Sequence, residues 1–183
     1  MNTKILHTCC FIGHRKINET NELRKRLYDK IEKLILKNNV DTFLFGSKSQ
    51  FNDLCHETVT TLKEKYPHIK RIYVRSAYQH INESYKNYLL KSFEDTYYPK
   101  HLEHAGRASY VERNYEIIDK SKFCIFYYDA NYFLPKSGTK VAFDYAIRKN
   151  KEVINIKKNG CTLNLCNIIP ISLTRKFISY IIS

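Results

Sequence analysis

The turn Ser137-Gly138-Thr139 lies between an apolar segment, 123–128, and an amphipathic segment that begins at Thr139. A turn of this kind at a helix start can bind phosphate. Glycine lets the backbone approach an anion, and the first helical N–H groups point toward it. The helix dipole favours negative charge there, and the Thr139 hydroxyl can cap the helix or donate to a phosphate oxygen. Such turns are common, so the interpretation depends on the other strand ends.

The end of the first apolar segment carries Gly13-His14-Arg15. Glycine permits close approach of the backbone to a ligand, and the Arg15 guanidinium offers two parallel donors that suit a phosphate. His14 is either a ligand contact or a turn residue that bonds to a neighbouring carbonyl. Arg75 directly follows the third apolar segment and would overlook the same crevice, with an exposed surface arginine as the alternative.

The second loop holds Gly46-Ser47-Lys48 and, slightly further on, Phe51. The spacing of a P-loop is absent, yet glycine, serine and lysine before a helix form an anion-binding concavity. The ring of Phe51 could stack on a base, or it could pack the helix onto the sheet. Lys48 would add positive charge beside the bound anion.

The helix predicted over 109–120 carries Arg113 and Asn114. Its predicted apolar face contains Val111 and Ile118, so Arg113 is expected to point away from that face, toward solvent or the crevice. Asp129 ends the fourth apolar segment and could hold a ribose hydroxyl, or it could terminate the strand as a turn residue.

The segments that must position these loops alternate between strand-like and helix-like patterns. Strands are predicted over 5–12, 42–45, 70–74, 123–128 and 152–156, and helices over 20–37, 52–66, 85–91, 109–120 and 139–150. The alternation predicts an α/β fold, a Rossmann-like three-layer α/β/α arrangement with a mostly parallel sheet. Ligands bind such sheets beyond the carboxyl ends of the strands. Residues 1–183 are interpreted as one domain, with 157–183 as a C-terminal extension of unclear pattern.

Composition narrows the class of protein. The 183 residues include 31 Lys and Arg against 18 Asp and Glu, a formal net charge of +13 that attracts anions of any kind. No apolar run reaches the roughly 18–20 residues of a membrane span, and no signal-peptide cleavage site is evident, so a cytoplasmic protein without a membrane partner is expected. The six cysteines of the sequence form no CxxC pair, a spacing that is typical of metal and redox sites. Free thiols are expected, and no metal or cofactor is predicted.

Five segments together resemble a known superfamily: FIGHRK, FLFGSKSQFNDLCHE, KYPHIKRIYV, AGRASYVERNYEIIDKSKFCIFYYD and SGTKVAFDYAIRKNKEVINI. They span about residues 10–156 and resemble the SLOG superfamily, in particular its YpsA-like branch. The resemblance implies a Rossmann-like domain that binds a nucleotide or nucleotide-derived ligand, such as an NAD-derived signal. It further implies a sensor, regulator or sequestering protein, often in antiphage defence. Because SLOG proteins commonly associate through helices, a homo-oligomer is expected.

The LOG-type enzymes of this superfamily cleave the N-glycosidic bond of nucleoside 5′-monophosphates. They carry a PGGxGTxxE turn and an arginine on the preceding helix. Arg113 is similar to that arginine and would be the catalytic residue of an enzyme, while Gly138 and Thr139 match the turn. Ala142 occupies the position of the glutamate, and alanine can neither stabilise a cationic sugar nor orient water. The resemblance therefore favours binding over hydrolysis.

Two other functions stay open. A LOG-type phosphoribohydrolase would need a substitute carboxylate near the sugar, and Glu112, Glu116, Asp129 and Asp144 are the candidates. A single-stranded nucleic-acid-binding protein would fit the charge and the 15 tyrosines, whose rings can stack on bases or pack a lid. The basic residues are spread along the chain, which favours a solvated surface over a dedicated nucleic-acid face.

Overall fold

A parallel sheet forms the centre of the computed structural model, which describes residues 3–131 and 137–157. Its strands are β1 (Thr8–Gly13), β2 (Thr42–Phe45), β3 (Lys70–Val74), β4 (Asp95–Tyr97), β5 (Phe123–Tyr127) and β6 (Glu152–Asn155). The strand order is β4-β3-β2-β1-β5-β6, and every neighbouring pair is parallel. The chain runs outward from β1 to β4 and then crosses to β5. The strand order therefore reverses between β1 and β5, the place where open α/β sheets bind ligands.

Helices cover both faces of this sheet. They are α1 (Thr3–Leu6), α2 (Asn21–Asn38), α3 (Gln50–Lys65), α4 (Glu83–Leu90), α5 (Ser109–Asp119) and α6 (Gly138–Arg148), with two 3₁₀ helices at Lys100–His104 and Gly106–Ala108. One apolar core packs α2 and α3 against the sheet, and a second packs α5 and α6 against the opposite face. The predicted Rossmann-like three-layer fold is thus confirmed. No helix in the described part of the chain is long and apolar enough to cross a membrane.

Helix α2 illustrates how the sequence pattern specifies the fold. Its apolar residues recur every three or four positions, and all of them are buried in the core: Leu23, Leu27, Ile31, Leu34 and Ile35. Each such side chain contributes about 1.5–3 kcal/mol when it leaves water. The Oγ1 atom of Thr20 caps the helix by accepting from the backbone N–H of Leu23 at 3.2 Å. The helix stops at Asn39, whose φ of 52° lies in the left-handed region.

Two predicted elements differ from the structure. The strand expected over 5–12 begins only at Thr8, because Thr3–Leu6 forms the helical turn α1 and the Thr8 hydroxyl donates to the Lys4 carbonyl at 2.8 Å. Strand β4 is not among the strands predicted from the sequence. It has only three residues at the edge of the sheet, too few to show an alternating pattern. Most of the C-terminal extension, from 158 onward, lies outside the described residues.

Candidate functional site

A cleft of about 630 Å³ opens at the carboxyl ends of β1, β2 and β3. The start of α6 and one face of α5 complete its walls. Many of the predicted ligand-binding residues line it: Gly13, His14, Arg15, Gly46, Ser47, Lys48, Arg75, Arg113, Asn114, Ser137, Gly138 and Thr139. Loops that are far apart in the sequence therefore meet at one rim of the sheet. Phe51 and Asp129 are the two predicted residues that the structure does not bring into this cleft.

Arg113 is the most deeply buried cation of the cleft, with 2% of its surface exposed. Its Nη1 donates to the Val74 carbonyl at 3.4 Å, and its Nε donates to Oδ1 of Asn114 at 3.2 Å. Both acceptors are neutral, and no carboxylate within the described ranges forms an ion pair with the guanidinium. Burial lowers the pKa of Arg113 to about 10, so the group stays charged at neutral pH. A buried charge of this kind is costly unless an anion balances it.

Arg113 lines the cleft, one of the two directions expected from the sequence, but it does not lie off the buried face of its helix as predicted. The buried face of α5 consists of Arg113, Ile117 and Ile118, whereas Val111 is only half-buried. Residues four apart share a helix face, so Arg113 lies directly above Ile117 and reaches over the end of β2 instead of pointing away from the core. Gly46 leaves the space that the Arg113 side chain occupies.

Three further cations line the described part of the cleft, and no carboxylate is among its described lining residues. The cleft-lining residues described include Arg15, Lys48 and Arg75 besides Arg113, but neither Asp nor Glu. Burial lowers the pKa of Arg75, and its Nε is buried without a hydrogen-bond partner among the described residues. Its Nη1 donates to the carbonyl of Tyr78, a residue with a left-handed φ of 58°. The cleft therefore carries strong positive charge in a partly dry setting.

His14 is a neutral structural link rather than a charged ligand group. Its ring is buried, and Nε2 accepts a hydrogen bond from the Asp129 backbone N–H at 3.1 Å. Burial lowers the pKa of His14, and the nearby Lys157 ammonium lowers it further. The Asp129 carboxylate is itself ion-paired with Lys157. Asp129 thus ties the end of β5 to the end of β6 and does not line the cleft.

Two helix starts face the cleft, each with a serine cap. The Ser137 hydroxyl accepts from the Lys140 N–H at 3.4 Å and caps α6, whose first N–H groups have no partner inside the helix. Helix α3 is capped by Ser49, which accepts from the Asn52 N–H at 3.2 Å. Ser49 also lines the cleft, and α3 begins at Gln50, two residues before the predicted helix start at 52. Both helix dipoles favour an anion at this rim.

Phe51 belongs to the core. Its side chain is fully buried, and its ring centroid lies 5.7 Å from that of Tyr127. Gly13 leaves room for this ring, because a β-carbon at that position would lie 2.3 Å from Cδ1 of Phe51. The packing interpretation therefore accounts for both residues, and the glycine allows close approach of a core ring.

Aromatic residues at the mouth of the cleft were not among the predicted site residues, although the tyrosines had been considered as groups that stack on bases. The lining includes Tyr73, Tyr78 and Tyr110, together with Tyr85 from the tyrosine-rich region. Tyr78 is 74% exposed and Tyr110 is 63% exposed, which leaves their rings free to contact a ligand. The available signal was the position of Tyr73 near the end of a predicted strand.

The candidate carboxylates for hydrolysis do not reach the cleft. Glu116 pairs with Lys120 at 2.7 Å, Asp144 pairs with Lys140 at 2.5 Å, and neither lines the cleft. Ala142, at the position of the LOG-type glutamate, is buried in the core between α6 and the sheet. The described cleft therefore presents donors and cations but no group that could serve as a carboxylate base or stabilise a cationic sugar.

Metal chemistry has no visible basis in this part of the chain. No cluster of His, Cys, Asp and Glu among residues 3–131 and 137–157 could hold a metal ion. Cys9, Cys10, Cys55 and Cys124 are free and buried.

No protein-family model matches this chain, and no curated protein matches its sequence. The geometry and charge of the cleft are therefore the observations that indicate its function.

Proposed function

We propose that this protein binds a nucleotide or nucleotide-derived ligand in the cleft at the carboxyl ends of the strands. The observation that carries the proposal is the buried guanidinium of Arg113, which no carboxylate of the described chain balances. A phosphate would supply the missing negative charge and would accept charge-assisted hydrogen bonds from the guanidinium. The role expected of such a protein is that of a SLOG-type sensor, regulator or sequestering protein.

The surroundings of Arg113 support a phosphate over other anions. The N-terminus of α6 offers backbone N–H groups and a favourable dipole on one side, and Arg15 and Lys48 add positive charge. The mouth of the cleft presents the exposed rings of Tyr78 and Tyr110, which can pack against the sugar of a nucleotide. A cleft that combines hydrogen-bond donors for phosphate with aromatic rings is typical of a nucleotide site.

Binding without hydrolysis is the better-supported activity. Cleavage of an N-glycosidic bond passes through a cationic sugar, and the cleft would destabilise that charge because its described lining holds four cations and no carboxylate. The nucleic-acid alternative rests on the net charge of +13 and on the 15 tyrosines alone. A homo-oligomer, expected from the SLOG resemblance, is a separate proposal that light scattering after size-exclusion chromatography tests.

Calorimetric titration of the purified protein tests the proposal. We expect AMP, ADP-ribose or NAD⁺ to bind at least about tenfold more tightly than adenosine, because adenosine carries no phosphate for Arg113. Arg113→Ala should weaken binding of the phosphorylated ligand by about tenfold or more, equivalent to about 1.4 kcal/mol. Arg148→Ala is the matched control, since it removes an exposed arginine at the far end of α6.

Two results would contradict the proposal. Equal affinity in wild type and Arg113→Ala would show that the cleft is not the phosphate site. Steady release of free base from a nucleoside monophosphate, lost in Arg113→Ala, would replace binding alone with hydrolysis.

A further inference from the structure

A second hollow of about 510 Å³ adjoins the cleft, and we call it the α3–α4 pocket after the helices beside it. It shares four lining residues with the cleft: Ser47, Lys48, Tyr73 and Tyr85. The two spaces therefore meet along one wall. A ligand with its phosphate near Arg113 would have to pass these shared residues to reach α3 and α4.

Aromatic rings that pack against one another at tilted angles form one side of the α3–α4 pocket. The ring of Phe93 lies with its centroid 5.7 Å from Phe45, 4.8 Å from His56 and 5.2 Å from Tyr73. On the side of α4, Tyr85 and Tyr88 are stacked with centroids 6.1 Å apart and an interplanar angle of 14°. These aromatic side chains give the pocket ring surfaces on which a planar heterocycle can pack.

The polar groups of the α3–α4 pocket differ from those of the cleft. Its lining includes the carboxylates of Asp53 and Glu57, whereas the described lining of the cleft has none. Asn52 also lines the pocket, is 3% exposed, and its Oδ1 has no hydrogen-bond partner in the described chain. These oxygens accept hydrogen bonds and repel phosphate. They suit a ring that carries N–H donors.

We propose that the α3–α4 pocket holds the nucleobase of the ligand whose phosphate binds at Arg113. The base is one with an exocyclic amino group, which donates to the carboxylate of Asp53, an exposed side chain of the pocket lining. This inference rests on the proposed function, since it assigns the second half of the same ligand. The ligand class is then a nucleotide of adenine, guanine or cytosine, with phosphate and base held in two spaces of opposite character.

A comparison of whole and truncated ligands tests this inference by calorimetry. The probes are AMP, GMP, CMP, UMP and ribose 5-phosphate, which has the phosphate and sugar but no base. We expect at least one of the three amino-bearing nucleotides to bind about tenfold more tightly than ribose 5-phosphate, and more tightly than UMP. Ribose 5-phosphate should still bind in a manner that requires Arg113.

Pocket variants localise the effect. Asp53→Asn keeps the shape of the side chain but removes an acceptor oxygen, and Asp29→Asn is its control because Asp29 is exposed on α2. Ser92→Trp places a ring at the α3–α4 pocket, where Ser92 is an exposed lining residue. Asp53→Asn and Ser92→Trp should reduce the preference for the nucleotide over ribose 5-phosphate toward one. The affinity for ribose 5-phosphate itself should not change.

The outcomes separate the two proposals. Equal affinity of wild type for ribose 5-phosphate and every nucleotide would overturn the base assignment and leave the phosphate site standing. A preference that survives both Asp53→Asn and Ser92→Trp would also overturn it, because the base would then lie elsewhere. Absence of binding by every phosphorylated probe would overturn the proposed function and this inference together.

Discussion

The side chain of Arg113 packs against the backbone of Gly46 so closely that a β-carbon at position 46 would lie 2.7 Å from both Cδ and Nη1 of the arginine. Real β-carbons do not approach other heavy atoms at this distance, and the contact comes from a side chain that is itself almost fully buried. The loop after β2 thus requires glycine to admit the group on which the positive charge of the cleft depends. The sequence had indicated Gly46 as a direct ligand contact, and the structure gives it a second role.

Gly46→Ala should weaken ligand binding because it displaces the Arg113 guanidinium. We expect a loss of about tenfold or more in affinity for a phosphorylated ligand, about 1.4 kcal/mol, with the fold retained. Calorimetric titration measures the affinity, and circular dichroism confirms folding. Unchanged affinity in a folded variant would show that Arg113 adapts or takes no part.

Gly13 and Gly138 should respond to alanine in opposite ways. At Gly13 the new β-carbon would clash with the buried ring of Phe51, and overpacking of this kind lowers the free energy of unfolding by about 1–3 kcal/mol. At Gly138 nothing lies within 4 Å of the new atom, and φ is not positive, so alanine should raise that free energy by about 0.4–1 kcal/mol. Urea denaturation of both variants checks the prediction. A change of the same sign in both would contradict the packing described here.

Arg113→Met should stabilise the ligand-free protein while it removes ligand binding. Methionine fills a similar volume without a buried, unbalanced charge, so we expect the free energy of unfolding to rise by about 1–3 kcal/mol. Thermal denaturation with and without AMP separates the two effects: the variant should melt higher alone and gain nothing from the ligand. Arg148→Met serves as the surface control. A variant that melts lower than wild type would mean that the guanidinium is already balanced in the free protein.

The lowered pKa of His14 predicts that the folded protein loses stability in mild acid. Its pKa is lower in the folded protein than in the unfolded chain, where it lies near 6.5. The unfolded state therefore binds the proton more readily as the pH falls below about 6.5, and unfolding becomes easier. The contribution is fully present above that pH and is lost progressively toward the lower folded pKa.

The comparison that isolates this effect is His14→Gln, whose side chain does not titrate. Wild type should lose more stability than the variant when urea denaturation is repeated at pH 7.5 and at pH 5.5. Other histidines contribute equally to both proteins and cancel. An identical pH dependence in the two would mean that burial does not lower the pKa of His14 in the folded protein.

The larger elements were predictable because their patterns repeat. The apolar spacing of α2 and the short apolar segments of β2 and β3 gave the alternation that specifies a parallel sheet, and the sheet in turn brings Gly13, Gly46 and Gly138 to one rim. A rule about strand ends was therefore enough to identify most of the cleft lining.

The interactions inside the cleft could not be read from spacing. A polar residue at a core position of a helix gives no sign that it is buried, so Arg113 was expected to point away from the apolar face. Phe51 lies in a loop-to-helix segment where ring stacking and core packing have the same sequence pattern. Strand β4 could not be recognised from its own three residues, and it forms a strand through pairing with β3. These features depend on contacts between distant segments, which one sequence does not display.

The burial of Arg113 distinguishes ligand binding in the cleft from the binding of polyanions to exposed lysines on the surface. Salt ions screen exposed lysines and weaken the binding of these lysines to a polyanion. This screening increases with ionic strength. A guanidinium that solvent scarcely reaches is screened much less. Raising sodium chloride should therefore strip adventitious nucleic acid from the surface while the small ligand stays in place.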